Sequence, residues 1–257
     1  MENPPNGVVR VAMITGGSRG IGLSIARELA DSGKHVILVA RDKEKLEKEV
    51  FSLREMGKKA SYIDVDFLDS DYLERIRENL VANSLEPTIL INGLGGGFAS
   101  QTHDEVKKYH EVMHLNFFVA VTLTQYIHEF ALKAHYGRFL FLGTLAVNQK
   151  SASAPYVAAK SALMSYMKII AKRFAELDNS LLAAAISPGA INVEGKYLHK
   201  ISLNDTNELT DFIKTNKISA GRLGLPEEVA KVADFLCGEE TNYLHGCNIE
   251  IDGGASN

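Results

Sequence analysis

Tryptophan is missing from these 257 residues, and only two cysteines and six prolines occur. Cys237 and Cys247 are too few for a disulfide framework, and no cysteine cluster or His-Glu-x-x-His spacing marks a metal site. Neither sign of charge dominates: 28 Lys+Arg stand against 32 Asp+Glu, a formal net charge of −4. No basic field for nucleic acid follows, and no block of like charges suggests an interaction tail. No apolar run approaches the roughly 20 residues that span a bilayer. Met1 to Arg10 carries two prolines and an acid but no basic flank leading into an apolar stretch, so a secretory signal is not expected. A cytoplasmic location without nucleic-acid or membrane partners is the expectation.

What is present is an ordinary globular composition, 46% hydrophobic and 23% charged. Residues 1–257 are expected to form one domain around one large core. Val8 to Thr15 is an apolar run that ends in glycines, and Ile21 to Ala30 carries apolar residues at helical spacing. The alternation repeats. Strands are expected over His35–Ala40, Ala60–Val65, Thr88–Asn92, Arg138–Gly143, Leu181–Ser187 and Asn248–Ile251. Helices are expected over Asp42–Met56, Asp69–Ala82, Asp104–Ala134, Pro155–Leu177 and Glu227–Leu236. About seven buried strands separated by helices imply a parallel sheet covered on both faces, the doubly wound Rossmann-type α/β arrangement. Asn192 to Arg222 reads as irregular, with one helix near Glu208–Lys214, and is expected to act as a substrate lid over 192–222.

The turn between the first strand and helix reads Thr15-Gly16-Gly17-Ser18-Arg19-Gly20-Ile21-Gly22, a Gly-x-x-x-Gly-x-Gly spacing. Glycines permit a tight turn and close backbone approach, while amides at the helix start face an anion such as a pyrophosphate. A glycine-rich loop without ligand is the plainer alternative. At the end of the second strand, Val39-Ala40-Arg41-Asp42 places Arg41, with Arg19, where a 2′-phosphate would bind, which favours NADP(H) over NAD(H). Alternatively Arg41 is solvated, and Asp42 caps the next helix or binds ribose itself.

Tyr156 and Lys160 are spaced i, i+4 on one helix face, where a nearby ammonium would favour the phenolate and suit Tyr156 to proton exchange with a substrate oxygen. With the glycine turn, these residues make the chain resemble the short-chain dehydrogenase/reductase family over nearly its whole length. The motifs are Thr15–Gly22, Asn92-Gly93-Leu94-Gly95, Asn116, Tyr156–Lys160, Pro188-Gly189 and Ile251-Asp252-Gly253-Gly254. The resemblance implies that Tyr156 is the general acid for reduction, that Lys160 binds the nicotinamide ribose, and that Asn116 holds a helix bend and a relay water. It assigns Gly16, Ser18, Arg19, Gly20 and Ile21 to the cofactor turn, Asp66 and Phe67 to the adenine, Asn92 and Gly93 to cofactor packing, and Pro188, Gly189 and Ile191 to the nicotinamide border.

Two departures from the family pattern stand out. Thr144 falls where the family has its catalytic serine; it keeps the hydroxyl and adds a methyl that stiffens the side chain. Ser151 and Ser153 are alternative hydroxyls. Asn92-Gly93-Leu94-Gly95 replaces the usual Asn-Asn-Ala-Gly, and Val193 stands where a threonine often follows Pro-Gly. The closing segment, Gly221 through Glu228 and Asp252 to Gly254, most resembles the 3-oxoacyl-(acyl-carrier-protein) reductase branch. These features suggest an NADPH-dependent ketoreductase acting on a small carbonyl substrate or an acyl thioester. Competing readings are an NAD-dependent secondary-alcohol dehydrogenase and a weakly catalytic nucleotide-binding regulator. The family implies a homodimer or homotetramer, and Lys133, Lys172 and Arg173 could meet an acidic acyl carrier protein as easily as they could form a solvated face.

Overall fold

The computed structural model describes residues 9–96, 106–145, 153–204 and 206–256. Seven strands make one sheet: β1 (Val11–Thr15), β2 (His35–Ala40), β3 (Ala60–Asp64), β4 (Ile89–Asn92), β5 (Gly137–Leu142), β6 (Leu181–Pro188) and β7 (Asn248–Ile251). Their order is β3-β2-β1-β4-β5-β6-β7, and every neighbouring pair is parallel. Within a strand, successive apolar residues feed opposite faces, as a two-residue period requires. Ile14, Leu38, Ile91 and Leu140 join the cluster under α1 (Gly20–Asp31), α2 (Lys43–Glu55) and α9 (Pro226–Leu236). Met13, Ile37, Leu90 and Phe139 join the cluster under α3 (Tyr72–Ala82), α5 (Val119–Lys133) and α6 (Ala154–Leu177). Burial of each such side chain contributes roughly 1.5–3 kcal/mol, and the two layers hold the strand ends in fixed register.

The sheet reverses its winding between β1 and β4, which pair directly through Ala12–Ile14 and Ile89–Ile91. Both strands end at one edge, so the glycine turn after β1 and the Asn92–Gly95 segment after β4 flank one crevice, the usual ligand position in such sheets.

Two differences from the sequence expectation have local causes. The helix expected over 104–134 is divided into α4 (Val106–Met113), a π-helical turn at His114–Phe118, and α5. Asn116 Nδ2 donates to the Val112 carbonyl at 3.0 Å, so a side chain occupies an acceptor of the helical ladder where the helix is distorted. Second, the segment 192–222 holds two helices, α7 (Tyr197–Asn204) and α8 (Thr206–Thr215). The eight-residue α7 buries only Ile201, too little periodic signal to be read from sequence. The strand expected over Arg138–Gly143 forms as β5 and carries a fully buried arginine. Arg138 donates to the carbonyls of Gly137, Ser180 and Gly238 and to Asn242 Oδ1 at 2.7–3.1 Å, and it stacks on Tyr136. It lies at the start of β5, the end of the sheet away from the crevice.

Candidate active site

The glycine turn is shaped by close backbone approach. Gly16 and Gly20 have φ of +69° and +56°, in the left-handed region that favours glycine. A Cβ on Gly22 would stand 2.4 Å from the Gly16 carbonyl oxygen. Arg19 is the N-cap of α1 and makes no side-chain cap, so the first-turn amides take no acceptor from it, an arrangement suited to an anion. Ser18 is buried, Ile21 packs on the core, and Val193 closes over Gly20, where an added Cβ would sit 2.9 Å from its Cγ1. Thr15, absent from the expected contact set, ties the turn to the β4 loop. Its Oγ1 donates to the Ile91 carbonyl and accepts from the Gly93 and Leu94 amides at 3.1 and 3.0 Å. Both side-chain polar atoms of buried Asn92 lack a hydrogen-bond partner among the described residues.

At the end of β2, Arg41 faces Asp66 at 3.7 Å and Arg19 faces Asp42 at 3.8 Å. Both arginines are exposed, so these pairs are weak and replaceable. Asp42 caps α2 by accepting the Lys45 amide, and its side-chain bond with Lys45 holds its carboxyl below the usual range. Asp66 accepts the Leu68 amide at 3.0 Å. The Phe67 side chain turns into the core against Tyr72, and its carbonyl meets His114 Nε2 at 2.7 Å.

The reacting end gathers residues from three elements. Thr144 follows β5, and its side chain hydrogen-bonds Tyr156 in the first turn of α6. Lys160, one turn on, is buried; its Nζ donates to the Leu142 carbonyl at 2.8 Å and lies 5.8 Å from the Tyr156 ring centre. Asn116 in the π-turn is also buried, and its Oδ1 has no hydrogen-bond partner among the described residues. A Cβ on Gly95 would fall 2.5 Å from Asn116 Oδ1 and 3.2 Å from Lys160 Nζ, so this glycine leaves both groups facing one space. The electrostatics differ from the sequence expectation. Burial raises the Tyr156 hydroxyl above its ordinary value and the Thr144 bond offsets this in part, while burial lowers Lys160 to about 8. Burial and the Thr144 bond set the Tyr156 hydroxyl, while Lys160 Nζ is engaged at the Leu142 carbonyl. Ser153 is buried at the N-cap of α6, and Ser151 lies outside the described residues.

Beside Thr144 opens a cavity of about 380 Å³. Pro188, Gly189 and Ala190 form one wall, and Leu198 on α7 with Phe212 on α8 another. Ile191 pairs with Gly224 next to this wall. Ala255 and Ser256 complete the cavity, a contribution from the C-terminal segment that no motif announced. Gly189 makes it possible, since an added Cβ would stand 2.8 Å from the Asp252 Cα. Among the described residues no group of three or more His, Cys, Asp or Glu could hold a metal, and no helix is long and apolar enough to cross a membrane.

A crevice at a sheet reversal, a glycine turn at a helix start and an adjacent tyrosine–lysine pair define a nucleotide-dependent oxidoreductase site. The short chain dehydrogenase family model matches residues 10–199, and the chain belongs to that family. It is 27% identical to 2-dehydro-3-deoxy-D-gluconate 5-dehydrogenase of Dickeya dadantii, with 95% of this chain and 94% of that protein covered. It is 26% identical to 3-oxoacyl-(acyl-carrier-protein) reductase of Pseudomonas aeruginosa, covering 95% and 96%. A fatty acyl-CoA reductase of Acinetobacter baylyi is 32% identical, but the match spans only 63% of this chain and 56% of that protein. L-Sorbose reductase of Gluconobacter frateurii, solved with NADPH and L-sorbose, superposes with a TM-score of 0.85 at 25% identity over 96% of each chain.

Proposed function

We propose that this protein is an NADPH-dependent ketoreductase. The observation that carries the reading is the hydrogen bond between Tyr156 and Thr144, near buried Lys160, with Thr144 lining a cavity large enough for a small carbonyl compound. The cofactor, when bound, supplies the hydride. The chain's own residues do the rest. The α1 amides and Gly16–Ile21 hold the pyrophosphate, and Arg41 and Arg19 exchange their weak carboxylate pairs for the 2′-phosphate. Asn92 and Gly93 pack beside the nicotinamide half, bordered by Pro188, Gly189 and Ile191. Thr144 donates to the substrate oxygen, and Tyr156 gives it a proton as charge develops. A raised Tyr156 pKa suits reduction, because the phenol is protonated at neutral pH. Lys160 and Asn116 orient the ribose and the proton path behind it.

The substrate can be drawn from two groups. Apolar Leu145, Leu198 and Ile218 in the cavity suit a 3-oxoacyl thioester delivered as coenzyme A or on a carrier. For a carrier, Lys172 and Arg173 are exposed, whereas Lys133 is paired with Glu86 at 2.8 Å. The polar groups of the same cavity suit a polyhydroxy ketone. Exposed Phe118 and Ile169 offer an apolar face for a second copy of the chain.

The test is initial-rate oxidation of NADPH and NADH with acetoacetyl-coenzyme A and with six-carbon ketoses. Turnover that prefers NADPH is expected. Arg41→Leu should raise the KM for NADPH about tenfold while leaving that for NADH nearly unchanged, the effect of losing one partly solvated charge contact. Equal turnover with both cofactors, insensitive to Arg41, would remove the basis for NADPH preference.

A further inference from the structure

Among the described residues that line the cavity beside Thr144, one is ionisable, the exposed Lys217. Lys217 sits in the turn that ends α8, with its amide on the Lys214 carbonyl and the Ile218 amide on the Ile213 carbonyl. Its φ is +51°, a left-handed conformation in which a side chain is disfavoured. The same position after α1 and α2 is filled by Gly33 and Gly57, the residue with least cost there. Ser84 and His135 also carry side chains at such positions, but neither lines this cavity.

Lys217 makes no ion pair among the described residues. Three acids of the C-terminal segment and α8 are engaged elsewhere. Asp252 accepts the Gly254 and Ser256 amides at 2.9 and 2.7 Å, Glu250 accepts the Ser256 hydroxyl at 2.9 Å, and Glu208 accepts the Tyr197 hydroxyl at 2.6 Å. The turn bearing Lys217 is anchored to the C-terminal segment by the Ala220 amide on the Gly253 carbonyl and the Ser219 hydroxyl on the Gly254 carbonyl. Its backbone is therefore held in place beside the cavity. Thr215, Asn216 and Ser256 add hydrogen-bonding groups along the same lining. Asn216 Nδ2 is spent on the Phe212 carbonyl, which turns Oδ1 toward the role of acceptor.

We propose that Lys217 recognises a carboxylate on the substrate, and that the site reduces small polyhydroxy keto acids in preference to uncharged ketoses and acyl thioesters. This rests on the ketoreductase reading. In the step, the carbonyl carbon gains the hydride as NADPH becomes NADP⁺, and the oxygen gains the Tyr156 proton, which solvent replaces. The carboxylate keeps its charge throughout and fixes the substrate's register, so Lys217 sets specificity without touching the reacting atoms. Lys217 is exposed at the cavity lining, and an ammonium within reach of a cavity favours an anion over a neutral analogue of the same size.

The experiment compares 5-keto-D-gluconate with L-sorbose, a neutral six-carbon ketose, and with acetoacetyl-coenzyme A, using wild type, Lys217→Met and Lys217→Gly. The glycine variant removes the charge while relieving the left-handed strain, so folding is preserved and its melting temperature should not fall. Both variants should raise the KM for 5-keto-D-gluconate about 10- to 100-fold, the loss of one charge-assisted hydrogen bond, with kcat and the L-sorbose KM nearly constant. Binding of the keto acid to the NADP⁺-loaded protein, measured by calorimetry, should weaken in parallel. A wild type that prefers L-sorbose or the thioester, or variants whose KM for the acid is unmoved, would overturn the assignment while leaving Tyr156-dependent reduction intact. Absence of NADPH-dependent reduction with all three compounds would sink the ketoreductase reading together with it.

Discussion

Tyr156→Phe is expected to lower kcat for carbonyl reduction by about 10²- to 10⁴-fold, the range for loss of a positioned general acid. The phenyl ring retains the packing of Tyr156 on α6, so the melting temperature should change little. Cofactor affinity should also persist, since the contacts proposed for the glycine turn, Arg41 and Arg19 do not involve the hydroxyl. The measurement is a pair of titrations, steady-state rates against ketone and fluorescence of bound NADPH. A variant that keeps its rate would show that the Thr144–Tyr156 bond is structural and that protonation comes from elsewhere. The pH profile sharpens the point. Because burial raises the Tyr156 pKa, reduction should not lose its acid near neutrality, whereas the reverse oxidation, which needs the phenolate, should accelerate as pH rises.

Lys160→Met is expected to separate stability from activity. The ammonium is buried and its pKa is lowered from 10.5 to about 8, so folding the charged form costs on the order of 3 kcal/mol at neutral pH. Methionine fills a similar volume without that cost. The lost bond to the Leu142 carbonyl returns about 1 to 1.5 kcal/mol of the gain. The variant should therefore unfold at higher urea near pH 7 while reducing ketones at least about a hundredfold more slowly. The linkage has a definite sign. Between about pH 8 and 10.5 the unfolded chain keeps the Lys160 proton and the folded chain does not, so wild-type stability rises with pH across that window. The advantage of the methionine variant should shrink over the same interval. A variant less stable than wild type at pH 7, with the gap unchanged up to pH 10.5, would mean that the lysine is solvated in the folded protein.

The sheet was legible because β2, β5 and β6 are apolar on both faces, and a run such as Leu181–Ile186 has few other places in a globular chain. The glycine turn and the Tyr156–Lys160 pair were legible as local spacings. What escaped depends on contacts distant in sequence. The π-turn forms through the Asn116–Val112 bond, which hydrophobic periodicity does not register. α7 is too short, and Ala255 and Ser256 reach the cavity only because Gly189 lets the C-terminal segment approach. The burial of Tyr156 and Lys160 was not legible for a similar reason: spacing places two groups together but says nothing of the solvent each loses.

The strand order has a consequence for how the molecule is made. During synthesis β1, β2, β3 and β4 form a contiguous half-sheet once Asn92 has emerged, and its crevice lies at the pairing of β1 with β4. From there β5, β6 and β7 each add to the strand made immediately before, so growth proceeds outward in one direction with no strand waiting for a later partner to its inner side. The nucleotide half is thus the older part of every nascent molecule, and the cavity beside Thr144 is completed last, when Ala255 and Ser256 join the lining begun by Pro188, Gly189, Ala190, Leu198 and Phe212. A chain interrupted before Asn248 would keep the half-sheet that holds the glycine turn and lose β7 with that last part of the lining, a division of labour in time that mirrors the division in space.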